Sequence, residues 1–368
     1  MATEVIPFFG VKRQYESIRK EILDATDQVY STGRVLDGYY TDEFERQIAA
    51  RCHRRYAVSV GSGTQALIFA QKLLFPENSK IIIPTVSFIA TLNSVLMAGN
   101  TPLFCDTDDQ ALLNLESMDY ALDAVGAAGV MYVNIFGNVI DYDRFQTIVK
   151  FFNQDLKVIE DAAQSFGAWY GKEPSGSLGD VSVLSFDPTK NLNNYGSGGM
   201  VLVDNLVDAK YIMDMRDNGK TNDHEIPGTN SKMSEAECAQ MLVKLRHFDR
   251  WQLRRHEIAD YYTRELSEIV DTPKTTANGI NSWHKYVIKL ADRTGLQYHL
   301  SSAGIETKVH YNRPLYEYEV GYPYINYVAE LYREASAFCS ESLSLPIYPE
   351  LTDLEVERVV EEVKHWST

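Results

Sequence analysis

The sequence predicts an α/β domain around a mostly parallel sheet, followed by a smaller C-terminal α+β domain. Three observations lead there. Short apolar, β-branched runs alternate with stretches of helical periodicity over the first half of the chain; such runs form strands buried on both faces, with helices as right-handed crossovers. From about residue 234 the alternation gives way to one long helical stretch and then to shorter mixed elements. The 368 residues, 45% hydrophobic and 23% charged, suit two globular domains of ordinary size. The boundary is expected near residue 245, giving units 1–245 and 246–368.

Taken in order, residues 14–30 carry apolar positions at helical spacing, and residues 41–50 read as a capped second helix. The strand YAVSVGSG then feeds the helix TQALIFAQKLLF, and KIIIP feeds SFIATLNSVLMAG. TPLFCDTD follows, then GVMYVNIFG with a helix at 141–152, then KVIEDAAQS. Residues 181–186 (VSVLSF) and 199–203 (GMVLV) add two strands around a polar, glycine-rich turn. The stretch from Ser234 to Ile269 reads as one long or kinked helix. After a Pro/Thr/Asn/Gly loop (272–281) come strand WHKYVIKL, a helix at 294–303, strand ETKVHY, and helices near 326–342 and 352–366.

Composition narrows the function. Lys plus Arg number 35 against 51 Asp plus Glu, a formal charge of -16. A field of that sign repels nucleic-acid phosphates and anionic lipid, so any anionic ligand must be held by local donors. The four cysteines Cys52, Cys105, Cys238 and Cys339 are scattered, with no C-x-x-C pair and no histidine at metal spacing. That pattern reads as reduced thiols, with no disulfide frame and no metal site. The start shows no secretion signal, and IIIPTVSFIATLNSVLMAG is too short and too polar to span a bilayer. The expectation is a soluble cytoplasmic protein.

Three segments can carry chemistry. Gly61-Ser62-Gly63-Thr64 follows a strand and opens a helix, where free backbone N–H groups and two hydroxyls form an anion cradle. Taken alone, it is better read as a plain βα turn with Thr64 as N-cap. In KVIEDAAQ, Glu160, Asp161 and Gln164 follow a buried strand, and small alanines admit something flat. An acid in a dry pocket needs a partner such as a protonated ring nitrogen, while the plain alternative is an N-cap Asp161 with Glu160 in solvent. In SFDPTKNL followed by YGSGG, a strand delivers Ser185, Pro188 breaks it, and Lys190 is presented on a turn before glycines that permit close backbone contact. A lysine of lowered pKa is the Schiff-base residue of carbonyl chemistry. A phosphate cradle, an acid and a lysine together are the demands of pyridoxal 5′-phosphate.

On these segments the chain resembles the DegT/DnrJ/EryC1/StrS sugar aminotransferases, members of the fold-type-I pyridoxal phosphate enzymes. The resemblance runs from IPFFGVKRQYESIRKEI through SGTQAL, PTVSFIATLNSVLMAGNTPLFCD, IEDAAQSFGAWY, GSLGDVSVLSFDPTKNL, GSGGMV and NSKMSEAECA to SLPIYPELTD. It implies that Lys190 forms the Schiff base with the cofactor and moves protons, and that Asp161 pairs with the pyridine nitrogen. Gln164 lies near the phenolic oxygen, Ser185 with Gly63 and Thr64 holds the phosphate, and Phe88 stacks on the ring. Asn230 reaches the phosphate of a neighbouring subunit, so a homodimer shares its active sites. Thr229, Ser231 and Lys232 stand where relatives carry Tyr, Tyr and Arg. Tyr195, Lys308, His310 and Tyr311 fall where relatives meet the sugar, with His310 equally readable as a structural residue at a strand end; Asn312 and Tyr316 depart from the family pattern.

The implied activity is transfer of an amine, with L-glutamate as donor, to a nucleotide-linked keto-sugar. The product would be an amino sugar for a surface polysaccharide such as lipopolysaccharide, or for a glycosylated metabolite. Three alternatives stay open: a transaminase of a free keto-sugar acid such as an 8-keto octulosonate, a pyridoxal-phosphate-dependent sugar dehydratase, and a cofactor-binding regulator without turnover. Relatives of the dehydratase type carry histidine at the lysine position, so Lys190 favours transamination.

Overall fold

A computed structural model describes residues 5–152, 156–220, 223–325 and 332–367. Helices α1 (Val11–Thr32) and α2 (Tyr39–Arg51) lead into β1 (Tyr56–Val60), α3 (Gly63–Leu74), β2 (Lys80–Pro84), α4 (Ile89–Met97) and β3 (Thr101–Cys105). Next come α5 (Leu115–Val125), β4 (Gly129–Val133), α6 (Tyr142–Phe152), β5 (Lys157–Asp161), the two-residue strands β6 (Trp169–Tyr170) and β7 (Glu173–Pro174), β8 (Val181–Ser185), β9 (Gly199–Val203) and α7 (Leu206–Arg216). The long α8 (Glu235–Leu266) is followed by β10 (Gly279–Ile280), β11 (Tyr286–Lys289), α9 (Arg293–Ser302), α10 (Arg333–Glu341), β12 (Ser342–Leu345) and α11 (Asp353–Trp366).

The central sheet has seven strands in the order β1-β9-β8-β5-β4-β2-β3. Strands β8, β5, β4, β2 and β3 pair in parallel, whereas β9 runs against both of its neighbours. Because β9 opposes β1 and β8 alike, β1, β5 and β8 point the same way. Their carboxyl ends, and the loop that enters β9, therefore lie along one edge, where ligands of such sheets bind. Every residue of β4 and β9 is buried, which explains their unbroken apolar runs.

A second core gathers Ile258, Tyr262 and Leu266 of α8 with Tyr286, Leu343, Val359 and other C-terminal residues, and Ile6 from the start of the described chain joins it. The amino-terminal part of α8 packs instead under the sheet, through Met241, Leu245 and Phe248. A capping box between Ser234 and Glu237 starts this 32-residue helix, which runs unbroken through residue 245 and takes part in both cores.

Several expectations need correction. ETKVHY does not form a strand. Only Lys308 bridges Ser344, after which the chain bends away and Leu315 N–H donates to the Thr85 carbonyl at 2.7 Å, docking the segment on the loop after β2. The expected helix near 326–342 is described only as α10 with β12 beginning at Ser342; residues 326–331 lie outside the described residues. Helices α5 and α7 and the small sheet β10-β6-β7 were not foreseen. All four cysteines are buried and free, and among the described residues no helix is long and apolar enough to cross a membrane.

Candidate active site

A cleft of about 490 Å³ opens at the carboxyl edge of the sheet and is lined by Gly63, Thr64, Phe88, Asp161, Gln164, Ser185, Lys190, Lys308, His310 and Tyr311. These residues come from five separate stretches of chain, and topology brings them together. Gly63 and Thr64 open α3 after β1, Asp161 ends β5, Ser185 ends β8, and Lys190 sits on the turn after β8. The segment around His310 closes the cleft from the C-terminal side.

The α3 entrance differs from the sequence reading in one respect. Its N-cap is Ser62, whose Oγ accepts from Gln65 N–H at 3.1 Å, so Thr64 is not the cap and its hydroxyl is released to the cleft. The Gln65 and Ala66 amides are taken up by Ser62, which leaves the amides of Gly63 and Thr64 without an intrahelical acceptor at the edge of the sheet. Two glycines make the cradle tight. A Cβ on Gly63 would lie 2.7 Å from Ser185 Cβ, and one on Gly199 would lie 2.4 Å from the Ser62 carbonyl oxygen.

Asp161 is 4% exposed at the floor. Its Oδ1 accepts from Ala163 N–H at 3.1 Å and its Oδ2 from the Thr91 hydroxyl at 3.2 Å, which leaves further lone pairs toward the cleft. Burial pushes the carboxyl up from its ordinary range, while the Ala163 amide and the Lys190 amine pull it back. Burial lowers the Lys190 amine, and Asp161 and Asp187 oppose that shift. The turn carrying Lys190 is fixed by Asp187, whose Oδ1 accepts from Thr189 N–H at 3.0 Å and Thr189 Oγ1 at 2.7 Å. Gln164 accepts from Phe136 N–H at 3.1 Å and donates to the Tyr311 hydroxyl at 3.3 Å. His310 shares a 2.8 Å hydrogen bond between Nδ1 and Ser344 Oγ, and burial together with Lys285, Lys308 and Lys190 lowers its pKa to about 3.

Glu160 faces away from the cleft and away from solvent. It is fully buried, and its two oxygens accept from Asn134, Ser175 and Gly176 on one side and from Leu178 and Ser182 on the other. It ties β5 to β8 and the loop before it, a structural task that rules out the plain alternative of Glu160 in solvent.

Two expected residues do not line the cleft of their own chain. Tyr195 packs edge-on to Tyr15 and under the Lys244 ammonium, 3.4 Å from the ring centre. Asn230 is exposed and bridges Asp217. The unusual neighbours of Asn230 have partners: Gly61 N–H donates to the Ser231 carbonyl at 2.8 Å, and Lys232 pairs with Asp217 at 2.6 Å. Conversely, Phe9, Thr91, His284 and Lys285 also line the cleft and escaped the sequence reading. The adjacent His284-Lys285 ahead of a strand was the only signal for the last two.

The donor set suits pyridoxal 5′-phosphate. Unpaired amides and the hydroxyls of Thr64 and Ser185 meet a phosphate, a buried carboxylate with spare lone pairs meets a ring N–H, and a desolvated amine meets an aldehyde. The tight Gly63–Ser185 approach leaves that entrance to backbone donors and small side chains.

The sequence model of the DegT/DnrJ/EryC1/StrS aminotransferase family matches residues 16–364. A Geobacillus stearothermophilus protein named as a pleiotropic regulatory protein is 32% identical, over 97% of this chain and 97% of its own. The dTDP-3-amino-3,6-dideoxy-alpha-D-galactopyranose transaminase of Aneurinibacillus thermoaerophilus is 30% identical, over 99% of this chain and 100% of its own. Among solved structures, S. venezuelae DesV superposes with a TM-score of 0.94 at 30% identity, covering 99% of both chains.

Proposed function

The chain belongs to the DegT/DnrJ/EryC1/StrS aminotransferase family as a pyridoxal-phosphate-dependent sugar aminotransferase, and from that premise we propose that it moves an amine from L-glutamate to a nucleotide-linked keto-sugar. Glutamate would leave as 2-oxoglutarate in a first half-reaction, and the keto-sugar would take the amine in a second. Pyridoxal 5′-phosphate, when bound, supplies an aldehyde that receives the amine and a protonated ring that draws electrons from the neighbouring carbon.

The protein's own groups divide the remaining work in this reading. Lys190 Nζ holds the aldehyde carbon and carries the proton to and from the substrate carbon. Asp161 keeps a proton on the ring nitrogen. Gly63, Thr64 and Ser185 hold the phosphate, Phe88 covers one ring face, and Gln164 serves the phenolic oxygen. Lys308, His310 and Tyr311 meet the sugar; Tyr195 is not retained in that role for its own chain, because its ring is packed against Tyr15 and Lys244. Asn230 is assigned to a partner's phosphate in a cytoplasmic homodimer, and the division at residue 245 is kept as the domain boundary, supported by the separate C-terminal core. The product class, an amino sugar for a surface polysaccharide or a glycosylated metabolite, belongs to the same proposal.

The observation that carries the reading is the meeting of Lys190, Asp161 and the α3 amides in one cleft. A dehydratase has no use for a lysine at position 190, and a regulator without turnover needs neither that amine nor the acid. The test is the absorbance of purified protein: the band of the lysine-linked cofactor should shift on adding glutamate, with one 2-oxoglutarate released per site. A band that never responds would overturn the proposal.

A further inference from the structure

We propose that Lys285 and Lys308 form an oxyanion subsite beside Lys190, and that the substrate bound there carries a carboxylate or phosphoryl group. The inference rests on the aminotransferase reading and deepens it by assigning two residues to the charged end of a substrate. Both ammonium groups approach the Phe9 ring, with Lys285 Nζ 4.5 Å and Lys308 Nζ 4.9 Å from its centre. Both line the cleft that holds Lys190.

The other cations near this position have their own partners. Arg255 donates to the carbonyls of Trp283 at 3.1 Å and Ile347 at 2.8 Å, and Lys190 faces Asp161 and Asp187. Lys285 and Lys308 form no ion pair among the described residues, although Lys285 is only 5% exposed. A buried ammonium without a paired anion is costly, and burial with neighbouring Lys190, Arg255 and Lys308 pushes Lys285 well below its ordinary value, with Asp187 opposing only in part and making no ion pair. The ring of Phe9 supplies only a weak partner. In a chain of formal charge -16, this concentration of positive groups at one mouth is a local field that selects an anion. Lys308, on the exposed rim, meets the arriving group first, and Lys285 completes its pairing as water is displaced.

Two sources could supply that oxyanion: a carboxylate of the amino donor, or an acidic group on the keto-sugar. Equilibrium binding to the cofactor-loaded protein separates them, using glutarate as donor mimic, glucuronate and inorganic phosphate as acceptor mimics, and glucose as the uncharged control. The wild-type protein should bind at least one anion and prefer it to glucose, and Lys285→Met or Lys308→Met should weaken it about tenfold or more. Lys285→Arg should retain most of the affinity. Loss of glutarate alone assigns the subsite to the donor; loss of glucuronate and phosphate alone assigns it to the sugar; loss of all three makes it common to both. Lys308→Gln, at the rim, keeps the test open if the buried Lys285→Met chain does not fold. Unchanged anion affinity in folded variants, no anion binding by the wild type, or loss of cofactor from either variant overturns the inference. The measurement needs no turnover, so a failure of transamination would leave its result standing.

Discussion

Burial drives Asp161 and Lys190 in opposite directions, raising the carboxyl and lowering the amine, and each residue's charge offsets part of the other's shift. The two ends of the proposed chemistry are thus electrostatically coupled before any ligand arrives.

Replacing Lys190 by alanine should abolish the absorbance of the lysine-linked cofactor and reduce turnover to trace levels. The fold should persist, because Lys190 is half-buried on a turn and its loss opens no apolar cavity. Circular dichroism and the melting temperature check the fold, and 2-oxoglutarate release checks activity. Retention of more than trace transamination without an added amine would remove Lys190 from its role.

Asp161→Asn should still load the cofactor, since the phosphate cradle is untouched. The rate should fall by about 10²–10³-fold, because a neutral amide cannot hold the ring nitrogen protonated. Cofactor stoichiometry against single-turnover rate gives the comparison, and an unchanged rate would leave Asp161 with a purely structural part.

Mixing Lys190→Ala with Asn230→Ala subunits tests the shared site. If Asn230 serves a partner's phosphate, one site in each mixed dimer combines two wild-type residues, so activity should return in part. No recovery after verified subunit exchange would place Asn230 outside the neighbouring site.

Glu160→Ala should destabilise the protein by about 3–5 kcal/mol, since the groups of five residues that now donate to the carboxylate lose their acceptor inside the core. Urea unfolding reads this directly. A change below 1 kcal/mol (about the worth of one ordinary hydrogen bond) would mean that water replaces the carboxylate.

Lys244 sets a pH dependence. It is fully buried, and desolvation lowers its pKa from 10.5 to about 7, with Glu350 opposing the shift. Below about pH 7 both native and unfolded chains hold the proton, and the cost of the buried charge stands in full. Between about 7 and 10.5 the unfolded chain binds more protons than the native one, so this residue makes stability rise with pH across that window. The difference between wild type and Lys244→Met in urea unfolding at pH 6.5 and 9.5 isolates the effect; parallel curves would refute it.

The sequence made the sheet legible because strands buried on both faces must be apolar throughout, as in GVMYV of β4 and GMVLV of β9. Two-residue strands such as β6 and β10 carry too few positions to show a period. The role of Glu160 is not legible in the sequence, because a charged residue is as readily placed in solvent until its five donors, distant in the chain, are in view. Ser62 and Thr64 are both good caps, and only the backbone decides between them. His284 and Lys285 escaped because their position at the cleft depends on how the C-terminal core sits against the sheet.

Helix α8 has a mechanical consequence. Its amino-terminal turns are clamped under the sheet and its carboxyl-terminal turns in the second core, with no interruption at residue 245. A hinge there would have to break successive i→i−4 hydrogen bonds and unpack apolar side chains on both sides. The helix therefore acts as a splint between the two cores, and bending it at residue 245 would cost contacts in both. The His310 segment, beside Val309 on the second core, and the lysine-bearing turn beside the sheet are thus referred to one continuous element.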